Sequence, residues 1–274
     1  MRDIVLRCPD CHYLLHPVTD AASTSRSARC SGCTRTFTSS AGVWDLWPTR
    51  VRLTPEDSQW AAHFDATVGA LGTSDPLALD YGSRRTFALR QRAMEELVGD
   101  VSGQLLLDVG CGNGLMARPL LLSNQVAGVD ASLQMAHAAA RNGLQAVHAP
   151  AFELPFVDGS FDGAFLIEVL QIVSDPYRVL SELTRVVRPG GFVVLLTHNA
   201  ESLVRRVLYR WFPDEGPAHR MFTLPQLSGW LTSLGCGQIK GRHLFLPVPY
   251  SRPASGLPAS LLATTLALRA EKLA

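Results

Sequence analysis

The chain has 274 residues, 47% of them hydrophobic, which is enough for a large buried core and a small additional unit. Its 25 Lys and Arg residues nearly balance 24 Asp and Glu, and a net charge of +1 excludes a whole-molecule basic field that would hold a nucleic-acid backbone. The N-terminus reaches Cys8 before any long apolar run, so we expect neither a secretory signal nor a membrane span, and hence a cytoplasmic protein.

Two pairs of cysteines lie near the N-terminus. Cys8 with Cys11 and Cys30 with Cys33 form CxxC pairs separated by 18 residues, a spacing typical of a tetrahedral four-cysteine Zn²⁺ site. A redox dithiol would need a CxxC at the start of a helix within a βαβ unit, and neither pair has that context. Since residues 1–49 contain little apolar material, we expect this unit to depend on its metal for folding.

The same segment, with its closing run VWDLWP at residues 43–48, resembles two kinds of zinc ribbon. One belongs to bacterial rRNA guanine-N1 methyltransferases, and the other to small zinc-ribbon activator proteins of methyltransferases. The chain departs from the rRNA enzymes in having a second CxxC where they usually place a Cys and a His. The resemblance therefore implies a zinc ribbon over residues 1–49 without fixing its substrate.

Residues 50–100 have the spacing of helices, most clearly from Arg84 to Val98. Glycines and prolines between residues 69 and 83 predict a loop or lid. We expect the aromatic side chains of this region to belong to the core. The sequence thus predicts a helical linker or lid over residues 50–100, followed by a larger domain over residues 101–274.

An apolar strand at residues 105–109 runs into three glycines two residues apart, Gly110, Gly112 and Gly114. Glycines let a backbone turn sharply and approach a ligand closely at the carboxyl end of a parallel strand. A dinucleotide fingerprint would need its third glycine at the place of Leu115, which disfavours a nicotinamide cofactor.

The pattern D-x-G-x-G-x-G that begins at Asp108 resembles motif I of class I S-adenosylmethionine (SAM) dependent methyltransferases. This resemblance implies a Rossmann-like α/β sheet with helices on both faces, in which Asp108 and the three glycines hold SAM. The next strand ends at Asp130, a carboxylate suitably placed for the two ribose hydroxyls. We expect Ala131 beside it and Met135 on the adenine side.

Residues 149–162 resemble the third strand-end segment of ubiquinone-type methyltransferases, which normally reads G-D-A-E-x-L-P-F. Here Pro150 replaces the Asp that usually meets the adenine amino group, and Phe152 replaces the Glu. We therefore expect adenine to be held by backbone groups near Ala151 and by stacking on Phe152.

Glu168 ends the fourth apolar strand and is expected to face the site as a support for the cofactor. The corner R-P-G-G at residues 188–191 also resembles this family. The resembling segments occur in order over residues 100–240, which is more specific than any one motif.

Methyl transfer from a sulfonium needs alignment above all, but some acceptors must also lose a proton. His198, at the end of the fifth strand, is the candidate base, although an ordinary loop histidine fits the same pattern. His219 and Arg220 are second-choice acceptor contacts. Residues 201–213 predict an amphipathic lid, and residues 257–274 predict a helix that closes a pocket or a dimer, so a monomer and a homodimer stay open.

Three functions are compatible with this pattern. The first is a SAM-dependent methyltransferase for a small-molecule acceptor in specialised metabolism. The second is an rRNA or tRNA base methyltransferase in which ribbon arginines touch phosphates. The third is a non-catalytic zinc-ribbon interaction protein with a degenerate cofactor fold.

Overall fold

The computed structural model describes residues 4–18, 26–79, 83–205, 207, 219–245, 250–253 and 261–274. Within these residues the chain forms one twelve-stranded sheet flanked by helices. The strands are β1 Leu15–Val18, β2 Ser27–Cys30, β3 Thr36–Ser40, β4 Val43–Asp45, β5 Leu105–Val109, β6 Gln125–Asp130, β7 Gln145–His148, β8 Phe161–Ile167, β9 Val187–His198, β10 Cys236–Phe245, β11 Tyr250–Pro253 and β12 Thr265–Lys272. The α-helices are α1 Pro55–Leu71, α2 Arg84–Val98, α3 Leu133–Arg141, α4 Pro176–Val186 and α5 Leu224–Ser233, and two 3₁₀ turns cover Pro76–Leu79 and Arg118–Leu122.

The strand order is β1-β2-β3-β4-β7-β6-β5-β8-β9-β12-β10-β11. Strands β7, β6, β5, β8 and β9 are parallel, whereas β12 is antiparallel to both β9 and β10. The order reverses at β5, because the chain first builds outward through β6 and β7 and then returns to the other side of β5 with β8. Such a switch point opens a crevice beyond the carboxyl ends of the strands, where α/β sheets bind ligands.

Continuous apolar runs form the central strands because both faces of the sheet are covered. Leu105 and Leu107 point to the face covered by α4 and α5, and Leu106 points to the face covered by α2 and α3. All seven residues of β8 are buried. The predicted Rossmann-like α/β fold with helices on both faces is confirmed.

Polar side chains fix where the helices begin. Thr54, Ser83, Ser132, Asp175 and Thr223 each accept a backbone N–H from the first turn of the helix that follows. Helices α1 and α2 confirm the helical pattern of residues 50–100. In the predicted loop between them, Pro76–Leu79 form a 3₁₀ turn.

The N-terminal ribbon extends the large sheet. Strand β4 pairs in parallel with β7, in the register Val43 with Ala146 and Trp44 with Val147. Leu6 forms an antiparallel bridge with Phe156 and belongs with it to one buried cluster. The ribbon therefore packs into the core of the larger domain, a connection that the sequence did not predict.

The prediction of a C-terminal helix at residues 257–274 is wrong. Residues Thr265–Lys272 form β12, a largely buried strand between β9 and β10. A short apolar run of this kind has the same periodicity in a buried helix and in a buried strand. The predicted lid at residues 201–213 lies largely outside the described residues. No helix in the described part of the chain combines the length and apolar character needed to cross a membrane.

Candidate active site

An open cleft lies at the carboxyl ends of the parallel strands, between them and α1. Seven of the residues predicted to bind a cofactor line it: Gly110, Gly112, Asp130, Ala131, Ala151, Phe152 and Glu168. The fold thus brings together residues from four separate strand ends.

The glycine loop after β5 has no room for side chains. Gly110 has φ +70°, and a Cβ there would lie 2.4 Å from Val169 Cγ2. Gly112 has φ +53°, and its Cβ would lie 2.2 Å from Leu79 Cδ2. Since only glycine adopts positive φ without strain, both positions require glycine for conformation. At Gly110 Val169 also leaves no space for a Cβ, and at Gly112 the end of the Leu79 side chain would have to shift. The loop therefore presents bare backbone to the cleft.

Asp130, at the end of β6, contacts this loop and lines the cleft beside it. One carboxylate oxygen accepts the Gly112 N–H at 2.7 Å, and the other accepts the Ser132 N–H at 2.8 Å. Burial raises the pKa of Asp130 to about 6, although these two N–H donors lower it. The side chain is therefore ionised at neutral pH, and each oxygen keeps a lone pair for a further donor in the cleft.

Three of the residues predicted to bind the cofactor, Met135, Gly114 and Asp108, lie behind the cleft and do not line it. Met135 is fully buried against Val68 and Ala138, so it joins α3 to α1. Gly114 allows close approach to α3, because a Cβ there would lie 3.1 Å from the Cα of Ala139.

Asp108 is also buried behind the glycine loop. Burial, followed by the charge of Asp130, raises the pKa of Asp108 well above its usual value. Its Oδ2 atom has no hydrogen-bond partner among the described residues. The buried carboxyl, the bare loop and the Asp130 carboxylate fit a ligand that carries hydroxyl and ammonium donors, as SAM does.

Glu168 lies at the cleft in a positive-φ conformation of +58°, which is uncommon for a residue with a side chain. Arg90 Nε donates to one carboxylate oxygen at 2.9 Å, and Gln171 Nε2 donates to the other at 2.6 Å. Burial opposes ionisation, but the charge of Arg90 and the hydrogen bond from His198 outweigh it and hold the pKa of Glu168 well below its usual value. The cleft therefore contains a fixed carboxylate.

His198, the predicted base, contacts this carboxylate through Nε2 at 3.0 Å and does not itself line the cleft. Burial lowers its pKa to about 4, even though Glu168 raises it. Its Nδ1 has no hydrogen-bond partner among the described residues. His198 is thus neutral at pH 7, with Nε2–H pointing at Glu168.

An aromatic wall from α1 was missed in the sequence, where these side chains looked like core residues. Trp60 and Phe64 both line the cleft, and Trp60 stacks on His219 with ring centroids 4.9 Å apart. His219 in turn meets the His198 ring edge-on at 5.0 Å. Helical spacing alone does not distinguish an aromatic residue that packs in a core from one that walls a cleft.

Arg220 was predicted as an acceptor contact. Its guanidinium pairs with both oxygens of Glu56 at 2.6 and 3.0 Å and does not line the cleft. It therefore ties the segment before α5 to the first turn of α1.

The four N-terminal cysteines converge on one point. Their Sγ atoms all lie within 4.8 Å of one another, with Cys8 to Cys33 at 3.7 Å and Cys11 to Cys30 at 3.3 Å. A tetrahedral Zn²⁺ with bonds of about 2.3 Å places its sulfurs about 3.8 Å apart. The donor set and its spacing fit that ion.

Backbone groups favour the thiolate of one cysteine in this cluster, Cys30, whereas burial raises the pKa of Cys8. Burial raises the pKa of Cys30, but N–H donation from Cys33 and Gly32 outweighs it and lowers the value to about 7. A thiolate is the form that binds a metal.

Comparison with known proteins agrees with this geometry. Residues 107–195 match the sequence model of a family described as a methyltransferase domain. The ubiquinone biosynthesis O-methyltransferase of Xanthomonas oryzae pv. oryzae is 30% identical over 133 residues, which are 46% of this chain and 50% of that protein. The demethylmenaquinone methyltransferase of Clavibacter sepedonicus is 32% identical over 165 residues, 57% of this chain and 66% of that protein.

The chain spans about half the length of several curated relatives that it matches. A SAM-dependent methyltransferase from Thermotoga maritima has the same fold, with a TM-score of 0.62 at 23% identity over 77% of this chain and 98% of that one. Together with the glycine loop and the strand order, these matches identify the central part of the molecule. Residues 107–195 therefore form a methyltransferase domain, in a fold shared with SAM-dependent methyltransferases.

Proposed function

We propose that the chain is a SAM-dependent methyltransferase that acts on a small-molecule acceptor. The observation that carries this proposal is the arrangement of the bare glycine loop and the Asp130 carboxylate in one cleft at the switch point of the sheet. Such a cleft offers a backbone surface to a nucleoside and a carboxylate to its ribose.

In this proposal the chain holds the cofactor from two sides. Asp130 accepts the ribose hydroxyls on its remaining lone pairs, and Phe152 stacks on adenine beside the backbone of Ala151. Asp108 lies buried behind the glycine loop. When bound, SAM supplies a methyl group already activated by its sulfonium, so the protein's main contribution is to align the acceptor.

Glu168 and His198 form the proposed acid–base pair. The Glu168 carboxylate faces the cleft and can accept the proton that a hydroxyl or an acidic carbon would release, while the neutral imidazole behind it donates Nε2–H to the carboxylate and orients it. Their depressed pKa values make them weak bases, which suits an acceptor whose proton is already acidic. Replacing His198 by Gln should lower kcat for such an acceptor more than it changes the affinity for SAM.

The chemistry of the cleft favours a small molecule over RNA. Trp60, Phe64 and Val173 give it an apolar and aromatic wall. Arg35 in the ribbon and Arg50 just after it are already paired within the protein, Arg35 with Asp10 and Arg50 with Glu153. The two relatives are named for ubiquinone biosynthesis and for demethylmenaquinone, which are consistent with small-molecule acceptors.

We also infer that Cys8, Cys11, Cys30 and Cys33 hold one structural Zn²⁺. Four thiolates complete the tetrahedral shell and leave no open position for a substrate, which is typical of structural sites. Metal analysis of the purified chain should find one zinc per molecule.

The test of the cofactor is calorimetric titration with SAM of the native chain, Asp130→Ala and the control Asp100→Ala. Asp100 is an exposed carboxylate outside the cleft. We expect micromolar binding by the native chain and the control, and a loss of at least tenfold in Asp130→Ala. If the folded, zinc-loaded native protein does not bind SAM, the proposed enzymatic function is refuted and the interaction-protein hypothesis is favoured. Binding without turnover of any acceptor would favour that hypothesis as well.

A further inference from the structure

A line of direct contacts connects the cysteine loops of the ribbon to the cofactor cleft. We propose that Arg50 and Glu153 are positioning residues that transmit the state of the cysteine cluster to Phe152, so that metal loading sets the affinity for the cofactor. This inference rests on the proposed function, because it concerns the same cleft.

The first contact is at the cysteine loop itself. Arg50 Nη1 donates to the carbonyl oxygens of Asp10 at 2.7 Å and of Pro9 at 3.2 Å. These two residues are the ones enclosed by Cys8 and Cys11. A metal bound by both cysteines fixes the path of the backbone between them, and the two carbonyls then hold the guanidinium in one place.

The second contact enters the methyltransferase domain. Arg50 Nη2 donates to Glu153 Oε1, and Arg178 Nη2 donates to the other carboxylate oxygen at 3.3 Å. Glu153 is 8% exposed, and Arg50 and Arg178 are the cations paired with it. The guanidinium of Arg178 lies 4.9 Å above the ring of Phe152, which lines the cofactor cleft.

Loss of the Arg50 contact would leave a buried carboxylate with one cationic partner fewer. The segment that carries Glu153 must then move toward solvent or draw Arg178 off the ring, and either change shifts Phe152. A second contact from the ribbon reaches the cleft through Asp45 and His148. That contact begins at β4, and the backbone contacts of Leu6 and Arg7 with Phe156 and Pro155 begin before the first cysteine. Arg50 is the contact that joins a cysteine loop to Glu153.

The coupling must be reciprocal. If metal loading strengthens cofactor binding by some factor, cofactor binding strengthens metal retention by the same factor. Coupling between sites of this kind is typically about 5- to 150-fold. We expect the Arg50 link to account for a change of at least fivefold.

The experiment measures the affinity for S-adenosylhomocysteine and the rate of zinc loss to a chromogenic chelator. The proteins are the zinc-loaded full-length chain, Arg50→Met, Glu153→Gln and Arg52→Met. Arg52 is the matched control, because it donates only to the nearby carbonyls of Thr49 and Val51 among its recorded hydrogen bonds. Circular dichroism confirms that each variant is folded at the assay temperature.

We expect Arg50→Met and Glu153→Gln to bind S-adenosylhomocysteine at least fivefold more weakly, with Arg52→Met unchanged. Saturating S-adenosylhomocysteine should slow zinc loss from the native chain and have a smaller effect on Arg50→Met. Native affinity in folded Arg50→Met, or zinc loss that is insensitive to ligand in the native chain, overturns the proposal. If the zinc-loaded native chain does not bind the ligand at all, the proposed function itself fails.

Discussion

The buried ion pair between Arg90 and Glu168 gives a sharp prediction for stability. Arg90 Nε and Glu168 Oε1 are 2.9 Å apart, and the two side chains are 10% and 8% exposed. Replacing one partner of such a pair leaves an uncompensated charge and costs about 3–5 kcal/mol. Gln171 and His198 still contact Glu168 when Arg90 is absent, so we take the lower end, about 3 kcal/mol for Arg90→Met.

Urea unfolding of the native chain, Arg90→Met, Glu168→Gln and the double variant measures this cost. Each single variant should lose about 3 kcal/mol at an unchanged m value, out of the roughly 5–15 kcal/mol typical of a folded domain. The double variant buries no charge at either position and should recover about 2 kcal/mol relative to the sum of the singles. Arg92→Met, an exposed arginine on the same helix, should change stability by less than about 0.5 kcal/mol. A loss below about 1 kcal/mol in Arg90→Met, or strict additivity in the double variant, would refute this reasoning.

Three further predictions concern the glycine loop, His198 and the metal. Gly112→Ala should weaken S-adenosylhomocysteine binding roughly tenfold, because positive φ and a clash with Leu79 together strain the loop by about 1–3 kcal/mol. The control Gly103→Ala, at φ +68° with open space around it, should leave the affinity unchanged. Equal effects of the two substitutions would contradict the prediction. The pKa of His198 falls from 6.5 unfolded to about 4 folded, so the native chain should lose stability as pH drops from 6.5 to 4, by up to about 3 kcal/mol. Urea titrations at several pH values should show a shallower loss in His198→Gln, and parallel curves would argue against the assignment. Stripping zinc with a strong chelator should lower Tm markedly, because metal binding contributes folding free energy; an unchanged Tm in demonstrably metal-free protein would contradict this.

The local parts of the site were predictable because they depend on short-range geometry. One predicted strand ends in three glycines and the next ends at Asp130. The carboxyl ends of parallel strands meet at one edge of a sheet, so these residues are expected to lie close together. Gly110, Gly112 and Asp130 therefore line the cleft as the sequence suggested. The four cysteines met for the same reason, since two CxxC turns close around one point.

The remaining parts depend on contacts that no local pattern encodes. Trp60 and Phe64 have ordinary helical spacing, and only the packing of α1 across the sheet turns them toward the cleft. Two partners of Glu168, Arg90 and His198, come from α2 and β9, far away in the sequence. Strand β12 was mistaken for a helix because its apolar run carries no strand-specific alternation.

The parallel pairing of β4 with β7 also has a consequence for the order of synthesis. Asp45 lies opposite His148, a separation of 103 residues along the chain. At translation rates of about 5–20 residues per second, β4 leaves the ribosome roughly 5–20 s before its partner strand exists. During that interval β4 has an unpaired edge, a known template for association with other chains. Slowing translation between residues 50 and 145 should therefore reduce the soluble yield of this protein more than slowing it after β7 has emerged.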